Sequence, residues 1–238
     1  MNNRFKFYEY NILKFLDKES KILIVGAGKD DFDLFEKNNF SNFVCSNYLG
    51  IGFNGKTFKK IDINNINEPD QSYDYVVAHA CIHHCSKPHS GILEMYRVSK
   101  KGILVIESKD SFLMDLMIKF KFAEKYELSA INTEDEFGDF GGVDNTKIPN
   151  YVYRWTEKEI RKLINSYDPK YNHIIKFNYK FEFENILRKV NNMHLKKILN
   201  LFLILFIKIF SFIFKKQSNL FSFFIDKEES QKFKHKWI

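Results

Sequence analysis

Four of the seven histidines and two of the three cysteines fall in one run, "HACIHHCSKPH", from His79 to His89. Imidazoles titrate near neutrality, so a histidine beside a substrate can take a proton from it. His79, His83 and His84 are the catalytic candidates. His79 comes first, because a strand ending there delivers it to the edge of a sheet where open α/β folds bind ligands. For His83 and His84 the alternative role is a hydrogen bond across the loop. A zinc knuckle needs paired cysteines and a second cluster. Cys81 and Cys85 provide neither, so no metal is expected.

A second signal precedes the histidines. "KILIVGAGKDD", Lys21 to Asp31, runs β-prone residues into Gly26-Ala27-Gly28, a turn that lets a ligand reach the main chain without meeting a Cβ. A pyrophosphate turn adds a third glycine and aims helix N–H groups at the negative charge. Here Asp30 and Asp31 follow instead, and phosphate would meet like charge. A cationic ligand is better suited, which favours S-adenosylmethionine over NAD; the alternative is that both acids only complement the helix dipole. Asn47 falls where such folds bind ribose hydroxyls, and its amide can donate and accept. Asp62-Ile63 suits an adenine amino group and ring, with a loop cap as the other role for Asp62.

The elements that would position these residues are readable from periodicity. A helix is predicted over Phe5–Leu16 and strands over Lys21–Val25, Asn42–Ser46, Lys59–Ile63, Tyr73–Ala78 and Gly102–Glu107. Helices are predicted over Asp31–Asn38 and Lys87–Val98, and after the N-cap Thr156 to about Ser166. "KFNYKFEFE" alternates as a half-exposed strand, with "NLFSFFIDK" as its antiparallel partner. Strands alternating with helices imply an α/β fold with a mostly parallel sheet covered on both faces.

"KILIVGAG", "NFVCSNYLG", "KIDINNIN" and "SYDYVVAHACIHHCSKPHSGILEMYRVSKKGILVIES" together resemble the class I S-adenosylmethionine-dependent methyltransferases. The likeness is most specific from Ser72 to Ser108 and covers Lys21 to Ser108. It implies a Rossmann-like seven-stranded sheet with an antiparallel last strand, in one domain over 1–238. It also implies Gly26, Ala27 and Gly28 beneath the methionine part of the cofactor, Asn47 at the ribose, Asp62 and Ile63 at the adenine, and His79 beside the methyl group. Ile24, Asp30 and Asn47 depart from the family's usual acid, third glycine and ribose-binding acid. Asp30 is retained among the cofactor-binding candidates.

Between about 111 and 166 a substrate-binding insertion is expected. Asn145, Asn150, Tyr151, Tyr153, Arg154 and Trp155 supply aromatic platforms and polar groups suited to a sugar, and the stretch looks like segments of methyltransferases acting on surface polysaccharides. Equally, Tyr153 and Trp155 could pin the insertion to the sheet.

The formal charge of +7 is local: seven basic residues and no acidic one lie between Arg188 and Lys216, and elsewhere 30 basic residues face 30 acidic ones. That argues against a nucleic-acid surface. Within about 186–216, Ile198–Phe214 is apolar, with its polar residues on about one third of a helical circumference. The expectation is a helix lying in an anionic membrane surface, with packing on another subunit or on the inserted segment as the soluble alternative. Three cysteines without disulfide spacing, and no secretory signal, predict a cytoplasmic chain, peripheral on the inner face of a membrane. Oligomeric state is left open. The function expected is O-methylation of a sugar hydroxyl. Alternatives are a lipophilic acceptor such as a quinone precursor, or a non-catalytic membrane-attached binding protein.

Overall fold

The structure, a computed structural model, describes residues 3–131, 141–182 and 212–236, with Phe202, Leu205, Phe206 and residues 208–210. In chain order its main elements are α1 (Asn3–Phe15), β1 (Ile22–Val25), α2 (Lys29–Lys37), β2 (Phe43–Asn47), β3 (Lys59–Lys60), β4 (Tyr73–His79), α3 (Pro88–Val98), β5 (Ser99–Ser108), α4 (Phe112–Lys119), α5 (Glu157–Tyr167), β6 (Ile174–Lys180), β7 (Leu220–Asp226) and the short α6 (Lys227–Ser230). The strands form one seven-stranded sheet in the order β3-β2-β1-β4-β5-β7-β6. β7 runs antiparallel to both β5 and β6, and the other pairings are parallel.

Side chains on a strand alternate between faces, and the core divides accordingly. Ile22, Ile24, Tyr75, Val77, Leu104 and Ile106 meet Phe7, Tyr8 and Ile12 of α1 and Leu34 and Phe35 of α2. Leu23, Val25, Val76, Ala78, Ile103 and Val105 meet Ile92 and Met95 of α3 and Ile160 and Ile164 of α5. Strands buried on both faces read as unbroken apolar runs.

Several boundaries differ from the sequence expectation. β3 keeps only two residues of the predicted five, because Asp62 accepts the Asn64 N–H (2.8 Å) and turns the chain out of the ladder. α4 was not expected: its apolar residues form no clean stripe, and only Met114 is buried. Its start is held by Ser111, whose hydroxyl accepts the Met114 N–H. At α5 the expected N-cap Thr156 is observed, and it forms a capping box with Glu159. Most of the predicted hydrophobic segment at 186–216 lies outside the described residues. Of those described, Phe202, Leu205, Phe206, Ile209, Phe212, Ile213 and Phe214 are exposed. Among the described residues no helix is long and apolar enough to cross a membrane.

Candidate active site

Strand order reverses between β1 and β4, and open α/β sheets bind ligands at such switch points, beyond the carboxyl ends of the strands. A cleft of about 310 Å³ lies there, walled by Gly26–Gly28, Asn47-Tyr48, Ile61–Asn64, Ala80-Cys81, His84-Cys85 and, from the insertion, Gly141, Gly142, Asp144 and Asn145. Gly26 has φ +60, and a Cβ there would lie 2.5 Å from Cys81 Cβ and 2.7 Å from its Sγ. Gly26→Ala therefore combines left-handed strain of about 1–2 kcal/mol with overpacking of about 1–3 kcal/mol. It is expected to weaken S-adenosylmethionine binding about tenfold or more by calorimetry, and an unchanged Kd would show that the turn does not carry the ligand.

Asp31 turns inward and accepts the Gly28 N–H at 2.9 Å, fixing the turn. Asp30 is exposed and does not line the cleft, so its place among the cofactor contacts is corrected. Asn47 lines the cleft with much of its capacity used: its Oδ1 accepts from Gly50 N (2.7 Å) and Ile51 N (3.2 Å), and its Nδ2 donates to the Ile51 carbonyl (2.7 Å). One amide proton is left for a ribose oxygen. Asp62 caps its loop through Oδ1, which also accepts from Asn64 Nδ2 at 3.0 Å. Its second carboxylate oxygen is available for an amino group. Both roles foreseen for Asp62 are compatible. Ile63 is buried beside Gly26 and Gly91. Among the described residues the lining holds Asp62 and Asp144 and no lysine or arginine. That donor set fits an adenosine bearing a sulfonium and has no cation for a pyrophosphate.

The histidines separate into three environments. His79 does not line the cleft. Its ring stacks on Tyr8 of α1 (centroids 4.3 Å), meets Phe5 edge-on (5.2 Å), and its Nδ1 is 3.5 Å from Asp31 Oδ1. The expectation that it stands beside the methyl group is therefore corrected: on β4 it has the parity of Tyr75 and Val77 and faces α1. Burial, reinforced by Asp31, holds the Tyr8 phenol well above its ordinary range.

His83 is buried, with Nδ1 2.8 Å from Glu107 Oε2 and Nε2 3.5 Å from Glu127 Oε2. Burial works against its charge, but Glu107 and Glu127 outweigh it and push its pKa up to about 9. Paired with two carboxylates, it is better suited to hold a proton than to take one from an acceptor. Glu107 is fully buried at the end of β5 and accepts the Ile82 N–H at 2.8 Å. Although burial favours its neutral form, His83 holds its pKa below the ordinary value. His83, against the opposing effect of burial, lowers Glu127 to about 2.

His84 faces the cleft, its ring 4.4 Å from that of His83 and its Nε2 3.7 Å from Glu127 Oε2. Burial and the neighbouring His83 charge lower its pKa, and the Gly141 backbone hydrogen-bonds to it. Of the three candidates it is the one the structure brings to the cleft.

Of the expected substrate residues, Asn145 lines the cleft. Trp155 is fully buried between sheet and α5, and its backbone N–H donates to the Ser108 carbonyl at 3.0 Å. It is therefore a core residue, which corrects its substrate role. Tyr153 packs on it at 4.7 Å and hydrogen-bonds to Glu159, so it pins the insertion as the alternative reading had it. Arg154 donates to the carbonyls of Glu124 and Val152, and Tyr151 is exposed against Tyr126. Asn150 is buried and acts through Glu127, to which its Nδ2 donates at 3.1 Å.

Two positions beside the cleft are not singled out by the sequence reading, Glu107 and Glu127. A carboxylate ending the apolar run "ILVIE" was a readable signal for Glu107. Glu127 sits in aperiodic sequence that offers no such mark. Asp144 Oδ1 accepts from Asn64 Nδ2 (3.1 Å) and Ser86 N (3.0 Å), tying the insertion across both walls of the cleft.

Residues 38–106 match a family model described as a methyltransferase domain. A S-adenosylmethionine-dependent methyltransferase from Archaeoglobus fulgidus is similar in fold, with TM-score 0.55 and 11% identity over 94% of this chain and 95% of that one. The PH0226 protein from Pyrococcus horikoshii OT3 is similar with TM-score 0.52 and 13% identity over 94% of this chain and 89% of that one. No curated protein sequence matches the chain. The domain match over 38–106 and the shared fold support a S-adenosylmethionine-dependent methyltransferase, with S-adenosylmethionine as the cofactor.

Proposed function

We propose that the chain methylates a sugar hydroxyl of a glycan or lipid-linked glycan. The observation that carries this reading is the polar wall facing the glycine turn, where Gly141, Gly142, Asp144 and Asn145 of the insertion meet His84. Small residues and amide or carboxylate oxygens suit a polyol better than a flat apolar acceptor does. The bound cofactor supplies an electrophilic methyl group on a sulfonium. Gly26–Gly28 give it access to the main chain, Asp62 and Ile63 hold the adenine, and Asn47 donates to the ribose. The acceptor hydroxyl must lose its proton as the new bond forms, and His84, which lines the cleft beside Glu127, is the group placed to take it. Trp155 and Tyr153 hold the insertion in position.

The test is incorporation of labelled methyl from S-adenosylmethionine into sugar nucleotides and lipid-linked oligosaccharides, compared with phenolic quinone precursors. Label is expected in the sugar fraction. Label confined to the phenols would support the lipophilic alternative, and no label with any acceptor would favour the non-catalytic one. The proposal includes contact of 188–216 with an anionic membrane surface, supported by exposed Phe202, Leu205, Phe206 and Phe212 beside Lys208, Lys215 and Lys216. Sedimentation with anionic vesicles that is undiminished without 198–214 would remove that part.

A further inference from the structure

Three donor atoms converge where the histidine loop meets the insertion. Nε2 of His83 and Nε2 of His84 lie 3.5 and 3.7 Å from Oε2 of Glu127, and the three groups can present ligand atoms all within 4.8 Å of one another. Donors bound at about 2.0–2.1 Å to one tetrahedral ion stand roughly 3.4 Å apart, so each histidine is already close to that separation from Glu127. The surroundings resemble those of a built metal site. A metal-bound histidine characteristically gives its other ring nitrogen to a carboxylate, and His83 Nδ1 is 2.8 Å from the fully buried Glu107. Glu127 is oriented by Asn150 and His84 by the Gly141 backbone.

We infer that His83, His84 and Glu127 bind a divalent cation of zinc type at the edge of the cleft. Two imidazoles and one carboxylate form a donor set of borderline softness that leaves a fourth position open. Because His84 lines the cleft, the open position is on the acceptor's side. A hydroxyl oxygen entering it loses its proton to solvent more readily, with no oxidant or reductant involved. The ion displaces the Nε2 proton of His83, which is also released to solvent. Only the identity of that hydroxyl rests on the function proposed above; the ion site itself does not.

The experiment uses the full chain, stripped with a chelator, with Zn²⁺ followed by calorimetry and Co²⁺ by its visible absorption. One ion per chain is expected, with the Co²⁺ band of a four-coordinate nitrogen and oxygen site. His84→Ala and Glu127→Ala should each weaken binding at least about tenfold, and Glu107→Gln by about 10–100-fold. His89→Ala, outside the cluster, should bind as the parent does. S-adenosylmethionine binding to the same samples reports that each variant is folded. No uptake by the parent chain, or uptake undiminished in both ligand variants, overturns the site. Uptake without sugar methylation would count against the acceptor alone, and sugar methylation without uptake against the ion alone.

Discussion

Replacing His84 with alanine is expected to lower turnover by about 10²–10⁴-fold, the range for loss of a group that manages a transferred proton. Affinity for S-adenosylmethionine should stay near that of the parent, because Gly26–Gly28, Asp62 and Ile63 stand on other elements of the cleft. His79→Ala should behave in the opposite way. Its ring is stacked on Tyr8 away from the cleft, so the change removes an aromatic contact worth about 0.5–1.5 kcal/mol beyond its buried area. It should appear in the melting temperature while turnover changes little. Single-turnover assays and thermal melts on both variants distinguish the assignments: equal losses of rate would return His79 to the chemistry, and an unaltered rate in His84→Ala would exclude His84 from it.

Glu107→Ala is expected to cost about 3–5 kcal/mol of stability, the range for breaking a buried ion pair by removing one partner. The carboxylate holds His83 Nδ1 at 2.8 Å and accepts the Ile82 N–H at 2.8 Å, so its loss leaves a buried cation and a buried amide without their partner. For a domain of this size that is a fall in Tm on the order of 10 °C. Glu107→Gln keeps the shape and an acceptor oxygen while removing the charge, and should lose less. Urea denaturation with m compared between variants is the measurement. A Glu107→Ala chain as stable as its parent would mean that Glu127 alone satisfies His83.

The fold was largely legible because its signals are local. "ILIV", "YDYVVAH" and "GILVIES" read as buried strands, and the Thr156 and Glu159 pair marks the start of α5. The site was less legible, and the reasons are physical. His79 was chosen for its place at the end of β4, but the side to which a strand residue points follows from parity, and Tyr75, Val77 and His79 share the α1 side. Glu107, two residues beyond Val105, points to the opposite side, toward the histidine loop. Trp155 looked like a sugar platform because sequence cannot distinguish an aromatic ring buried by tertiary packing from one left in a cleft. Glu127 becomes significant only when it meets the histidine loop across more than 40 residues of chain, a juxtaposition without periodicity.

The position of β7 affects how the molecule is made. It lies between β5 and β6 although it follows both in sequence, and about 40 residues separate the end of β6 from its start. During synthesis the open edge of β5 and the whole of β6 must therefore wait until Leu220–Asp226 leaves the ribosome. Until then two unpaired strands are exposed to other nascent chains. Completion of the sheet thus waits for the last of its strands in sequence, and interrupting synthesis ahead of Leu220 would leave an aggregation-prone intermediate with its cofactor half already in place.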